Sequence, residues 1–300
     1  MDRTLIDVTE AASTMRPGDI RYGELLLGPR SPYRWTKLTG WEALPELDSG
    51  DVPRPSAHGA WPGQLLSQSR TLTFEEMIVR APAAQIGAVV DALTAATALG
   101  KDEVPLLVCL DERGPLLSWA RTTKRDVPAS VGYALGTITE AALELTATDP
   151  RRYTPAVQHA VVGLPEPCLP WHADHGHGPR GIPASTGDLL VHNLGSAPTH
   201  PVVELWGPVD TPRLGNAATG AVLEYELLLD EGERLTIDTS NGTAVLDTGE
   251  SLLHAASGTS WPEPAFMLAP GRNNLVFRAA EDTPPDPRAA AVLRWRSAHW

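Results

Sequence analysis

Apolar positions recur along this chain with two different periods, and the period assigns most of its elements. From Arg70 to Arg80, Leu72, Phe74 and Met77-Ile78-Val79 lie between turn-forming residues, the pattern of a strand. Pro82 suits an early helical position, and Ile86, Val89-Val90, Leu93 and Thr97 then follow at helical spacing until Gly100. A helix over about Pro82–Leu99 is predicted. Val104–Leu110 and Leu116–Arg121 read as short buried strands. In Ile138–Thr146, Leu143 and Leu145 face one way and Glu140 and Glu144 the other, as in a half-exposed strand, although the Ala and Glu content also permits a helix.

Before Arg70 the pattern is fragmentary. Tyr22–Leu27 and Tyr33-Arg34-Trp35 alternate briefly, and Asp48–Gly63, with Pro53, Pro55 and Pro62, reads as a long connection. Loops of that length without their own pattern are usually functional or interface-forming. From Thr154 to Gly187 periodicity stops and prolines recur, which predicts an interdomain connection. Beyond it, Leu189–Asn193, Val202–Trp206, Val222–Leu229, Arg234–Asp238, Thr243–Leu246, Asn274–Ala279 and Ala291–Arg296 are candidate strands. Leu223, Tyr225 and Leu227 face one way there, with Glu224 and Glu226 opposite. Asn241-Gly242 suits a two-residue hairpin loop, and in the last strand Leu293 and Trp295 are expected inward with Arg294 and Arg296 solvated. About seven or eight such strands predict a β-sandwich. The expected organisation is residues 1–155 as one β-rich domain with one helix, 156–186 as the Pro/His-rich connection, and 187–300 as the sandwich.

Composition fits this mainly β reading. The 300 residues include 28 prolines and 26 glycines, with 42% hydrophobic and 20% charged residues, as in an ordinary folded protein of two domains. A net charge of −13 without a basic stripe argues against sequence-specific or general nucleic-acid binding. Cys109 and Cys168 are the only cysteines, too few for a disulfide framework. No apolar run is long enough to insert in a membrane, and no secretory pattern opens the chain, so folding in a cytoplasm is expected.

Candidate chemistry is sparse. Trp171-His172-Ala173-Asp174-His175-Gly176-His177 packs three imidazoles and a carboxylate into one segment, but a zinc site needs a rigid scaffold, and this segment lies in the Pro/Gly-rich connection. His172, His175 and His177 are therefore weak metal candidates, and neither metal nor cofactor is expected. His58, His192, His200 and His254 share no spacing. Asp247-Thr248-Gly249 matches the triplet of aspartic proteases once, in a turn composition, and no nucleophile elbow, zinc-protease motif or phosphate loop occurs, so no enzyme is predicted. Of nine tryptophans, Trp41, Trp61 and Trp171 have loop-like surroundings and are the interface candidates.

Several segments together resemble the distal tail proteins of long-tailed, siphophage-type bacteriophages. They are Gly40-Trp41-Glu42-Ala43-Leu44-Pro45, Thr148-Asp149-Pro150-Arg151-Arg152-Tyr153, Gly215-Asn216-Ala217-Ala218-Thr219-Gly220, Glu231–Thr239, Leu268–Leu275 and the closing Arg294-Trp295-Arg296. The resemblance implies an N-terminal ring-forming domain with one helix, followed by a galectin-like β-sandwich. It also implies a structural role as a homohexameric ring joining the tail tube protein to the tail-tip hub protein, with the tape measure protein as a further candidate partner. Such a protein is assembled in the host cytoplasm and resides in a virion tail or tail-like particle. The alternative is a carbohydrate-binding sandwich adhesin at the tail tip, with Trp206 or Trp261 as stacking platform.

Overall fold

The computed structural model describes residues 7–166 and 185–300, and the chain is mainly β. It divides into two compact units, Val8–Pro155 and Ala156–His299. The cluster Trp171–His177 lies outside the described residues, and so does Cys168.

The first unit is built on one antiparallel sheet whose strands run in the order Leu25–Leu27, Asp19–Tyr22, Val104–Cys109, Leu116–Asp126, Thr137–Ala147, Arg70–Arg80, Tyr33–Arg34. Its first and last strands are joined by a short loop, and the Gly28 N–H donates to the Tyr33 carbonyl at 2.8 Å, so the sheet nearly closes on itself. Inward residues from successive strands, among them Ile20, Leu72, Phe74, Val79, Leu106, Leu143 and Leu145, form one core. Thr137–Ala147 is a strand throughout. Its pairing with Arg70–Arg80 resolves the helix-or-strand ambiguity of its composition, tertiary pairing overriding local propensity.

The helix spans Ile86–Ala96, shorter than predicted, because Pro82 to Gln85 form a turn in which the Gln85 N–H bonds the Pro82 carbonyl. Ile86 and Leu93 face the core. Helix ends leave carbonyls without partners. Arg125 supplies donors from the sheet, its Nη1 bonding the Thr94 carbonyl, the Thr97 carbonyl and the Thr97 Oγ1 at 2.9–3.1 Å. A cation is electrostatically suited to that end.

The predicted long connection before Arg70 is instead a two-stranded ribbon. Leu47–Ser49 pairs with Leu65–Ser67, and Val52–Pro53 with Ala60–Trp61. Prolines at the ladder ends and a close Gly50–Gly63 approach hide this pairing from a periodicity reading. A Cβ on Gly63 would lie 2.2 Å from the Gly50 carbonyl, so only glycine fits there.

The second unit is a sandwich. One sheet runs Gln158–Gly163, Ala290–Trp295, Val202–Trp206, Arg234–Asp238, Thr243–Leu246, and the other Asp188–Asn193, Gly271–Arg278, Arg213–Asn216, Val222–Glu224, all antiparallel. Val203, Leu205, Ile237 and Leu293 from the first meet Leu214, Leu223, Leu275 and Phe277 from the second in a shared core. Three expectations are corrected. Gln158–Gly163 is a strand of the first sheet and not part of a structureless connection; it pairs fully with the last long strand. The Asn241-Gly242 hairpin closes from Asp238↔Thr243, so its loop has four residues, with Asp238 Oδ1 accepting the Ser240 and Asn241 N–H groups. Finally, Leu293 and Trp295 point inward as predicted, but Arg296 is 1% exposed. The strand ends at Trp295, so alternation no longer governs the next residue. Burial lowers the Arg296 guanidinium to about 10, with the charge of Asp7 opposing the shift.

Candidate assembly surface

Arg70 begins the longest strand pair of the first unit and is almost fully buried. Its Nε donates to the Pro150 carbonyl at 2.8 Å, and its Nη1 to the carbonyls of Gly40, Trp41 and Ala43 at 2.7, 3.0 and 2.7 Å. One side chain therefore gathers two of the segments that resemble the phage family, Gly40–Pro45 and Thr148–Tyr153. Burial lowers the Arg70 guanidinium to about 10, the neighbouring Arg152 cation adds to this, and Glu42 opposes it. Gly40 has φ +88°, and a Cβ there would lie 1.9 Å from the Thr71 carbonyl oxygen, so the turn that presents these carbonyls requires glycine.

Around this root the charges are organised in pairs. Arg152 stacks over the Trp41 ring at 5.5 Å and donates to Glu42 Oε2 at 3.2 Å, while Arg113 reaches Glu42 Oε1 at 3.2 Å. Asp149 accepts from Arg151 Nε and Nη2 at 2.8 and 2.9 Å and from the Tyr153 hydroxyl at 2.6 Å. Burial alone would raise the Asp149 carboxyl, but the Arg151 donors and charge and the Tyr153 hydroxyl outweigh it and hold it below the usual carboxylate range. Burial, then Asp149, pushes the Tyr153 phenol well up. The Asp-Pro-Arg-Arg-Tyr segment is thus a joint held by paired charges.

Beyond the root the ribbon is a different surface. Leu44, Leu47, Val52, Trp61, Leu65 and Leu66 are all exposed. Pairing places Leu47 and Leu65 on one face and Leu66 on the other, so both faces carry apolar side chains. Of the interface candidates, Trp61 is 52% exposed on this ribbon with Arg54 against its ring at 5.7 Å, whereas Trp41 is 3% exposed and belongs to the unit's own core. The loop-like sequence around Trp41 concealed its partners, which are the distant Arg70 and Arg152. Trp171 lies outside the described residues, as do the metal candidates His172, His175 and His177. Among the described residues no three His, Cys, Asp or Glu side chains come together as a metal site, and no helix is long and apolar enough to cross a membrane.

In the sandwich, two of the other family-like segments, Gly215–Gly220 and Leu268–Leu275, are joined by buried amides. Asn216 Nδ2 donates to Asn273 Oδ1 and to the Met267 carbonyl, each at 3.1 Å, and Asn273 exchanges bonds with the Ala269 backbone at 2.8 and 2.9 Å. Their separation in sequence is large, so only the fold reveals that they form one network. Glu204 is buried on the outer side of Val202–Trp206, 3.1 Å from Arg294 and 3.8 Å from Arg234, and Arg234 lies over the Trp206 ring at 5.2 Å. Polar groups surround Trp206, but they engage each other, and Arg234 covers the ring. Trp261 is exposed. Tyr225 donates to Glu263 at 2.8 Å inside the unit, and burial followed by that carboxylate raises its phenol. These groups are fastenings and show no nucleophile–base pair.

No protein-family model matches the sequence, and no curated protein matches it significantly. Solved structures do resemble the fold. The SPP1 Dit protein, described as a paradigm of the hub adsorption apparatus in phages infecting Gram-positive hosts, superposes with a TM-score of 0.63 at 12% identity over 92% of this chain and 97% of that one. The phage P2 baseplate in its activated conformation, with Ca and with Sr, matches with a TM-score of 0.50 at 11% identity over 93% of this chain and 97% of that one in each case. The class so defined is the distal tail, or Dit-like, fold. Within that class, the SPP1 protein is a structure this chain resembles along nearly its whole length.

Proposed function

We propose that this protein is an architectural component of a siphophage-type tail, a distal tail protein at the junction between the tail tube and the tip. The observation that carries the reading is likeness of fold to a Dit protein along 92% of this chain and 97% of that one. In this reading Val8–Pro155 is the ring-forming, tube-facing part and the sandwich, in a galectin-like arrangement, is its companion. Six copies form a ring that contacts the tube protein on one side and the tip hub protein on the other, within a virion tail or tail-like particle assembled in the host cytoplasm. The paired charges and satisfied amides suit a scaffold, and no turnover is assigned to them. A sugar-binding role has less behind it, because Arg234 occupies the face of Trp206. Mass photometry of the full-length protein tests the ring: a species about six times the 32.1 kDa chain is expected. A monomer at tens of micromolar that also forms no ring with purified tube protein would refute it.

A further inference from the structure

A cavity of about 430 Å³ opens on the sandwich, bounded by the short ladder of Val209–Asp210 with Leu228–Leu229 and by the proline-rich strap that follows Ala280. The strap is fastened to the ladder where the Ala280 N–H donates to the Asp210 carbonyl at 3.0 Å. Pro208, Val209, Leu228, Pro284 and Pro285 give the cavity an apolar lining, and Leu228 is 63% exposed beside it. The volume falls in the lower part of the range usual for binding sites, roughly 300–1,000 Å³. Its chemistry excludes several occupants. The lining has no aromatic ring, no Asn and no Gln, and its prolines have no N–H, so a sugar finds neither a stacking face nor the amides its hydroxyls need.

The same lining carries Asp210, Asp282 and Asp286 and no cation. Asp286 is already neutralised, accepting from Arg288 Nε and Nη2 at 2.9 and 2.7 Å, and Arg288 also pairs with Glu231. The other two carboxylates are uncompensated. Asp210 accepts the exposed Thr211 hydroxyl at 3.0 Å, and Asp282 has no hydrogen bond or ion pair among the described residues. Arg213 and Arg278, on the strands that lead into these segments, are held by Glu224 and Asp188 at 3.2 and 3.0 Å, and residues 156–300 contain no lysine. An apolar slot with two unpaired carboxylates fits a group that is aliphatic along its length and cationic at its tip, which describes lysine and arginine side chains. We propose that the cavity receives such a side chain from a basic segment of a different protein, its stem against Leu228, Pro284 and Pro285 and its charged head at Asp210 and Asp282. Nucleic acid is repelled there, and a second copy of this chain, at a net charge of −13, is a poor source of the cation. The inference does not depend on the tail reading.

Fluorescence anisotropy with the full-length protein tests it, using a fluorescein-labelled peptide, Ser-Leu-Lys-Leu-Lys-Leu-Ser, at physiological salt. Saturable binding is expected. The double variant Asp210→Asn with Asp282→Asn is expected to weaken it at least ~10-fold. Asp91→Asn with Glu112→Gln removes the same charge from exposed positions of the first unit and is expected to leave the affinity unchanged. A peptide of equal charge with glycine in place of each leucine is expected to bind more weakly, because it loses the apolar contact. Absence of saturable binding, or equal weakening by the two double variants, would overturn the inference. Full displacement of the peptide by an equal concentration of spermidine would make a small polyamine the occupant and overturn the assignment to a polypeptide. None of these results bears on ring formation, which mass photometry decides separately.

Discussion

Replacing Arg70 by Met removes the buried group that bonds the backbone of both the ribbon root and the Pro150 segment. Four backbone carbonyls then lose a charged donor, those of Gly40, Trp41, Ala43 and Pro150. A hydrogen bond to a charged group contributes about 1.5–3 kcal/mol net, but bonds sharing one side chain are not additive. Against them stands desolvation of the guanidinium, visible in its lowering to about 10, and Met restores much of the packing of the stem. A net loss of about 2–4 kcal/mol is expected. At roughly 2–4 °C per kcal/mol for a unit of this size, the melting of the first unit falls by about 5–15 °C. Arg70→Lys is expected to recover only part of this, because a single ammonium lacks the fork that serves both sides of the joint. Calorimetry gives the shift, and hydrogen exchange locates it, with faster exchange over residues 40–69. Unchanged melting together with unchanged exchange in that segment would refute the role assigned to Arg70.

Substitutions at two further positions follow from the same reading. Trp295 is 4% exposed, so Trp295→Ala is expected to cost roughly 3–5 kcal/mol; its indole N–H has no partner among the described residues, so Trp295→Phe is expected to cost far less, and equal losses on chemical denaturation would contradict that. The depressed Asp149 carboxyl contributes stability that is complete above its unfolded value of about 3.9 and is lost as pH falls through its lower folded value, so the destabilisation by Asp149→Asn is expected to shrink below about pH 4, and a difference equal at pH 7 and pH 3 would argue against it.

Where burial alone orders the chain, alternation made it legible. Val202–Trp206, Arg234–Asp238 and Thr243–Leu246 are strands with the predicted bounds because each has one face in the shared core. The alternation fails where pairing, not burial, creates a strand: Gln158–Gly163 leaves Val161 exposed between flanking prolines, and the ribbon buries nothing large. Arg213–Asn216 offers a single buried leucine to read, so it too was missed as a strand. The joint at Arg70 was invisible for a different reason. A lone arginine before an apolar run looks solvated until the chain brings carbonyls from residues 40–43 and Pro150 onto it, contacts that no local pattern encodes. Likewise, Trp41 and Trp61 have similar loop-like neighbours in sequence, and only the fold separates a core ring from an exposed one.

The most direct test of a distal tail role is to find the protein in a particle. Antibody raised against the full-length chain, applied with gold to particles produced by a strain that encodes it, is expected to label the distal end of the tail near the tip, and electron microscopy of disrupted tails is expected to show the label on a ring at the end of the tube. Gold along the tube or on the capsid, or particles that lack the protein altogether, would contradict the proposal.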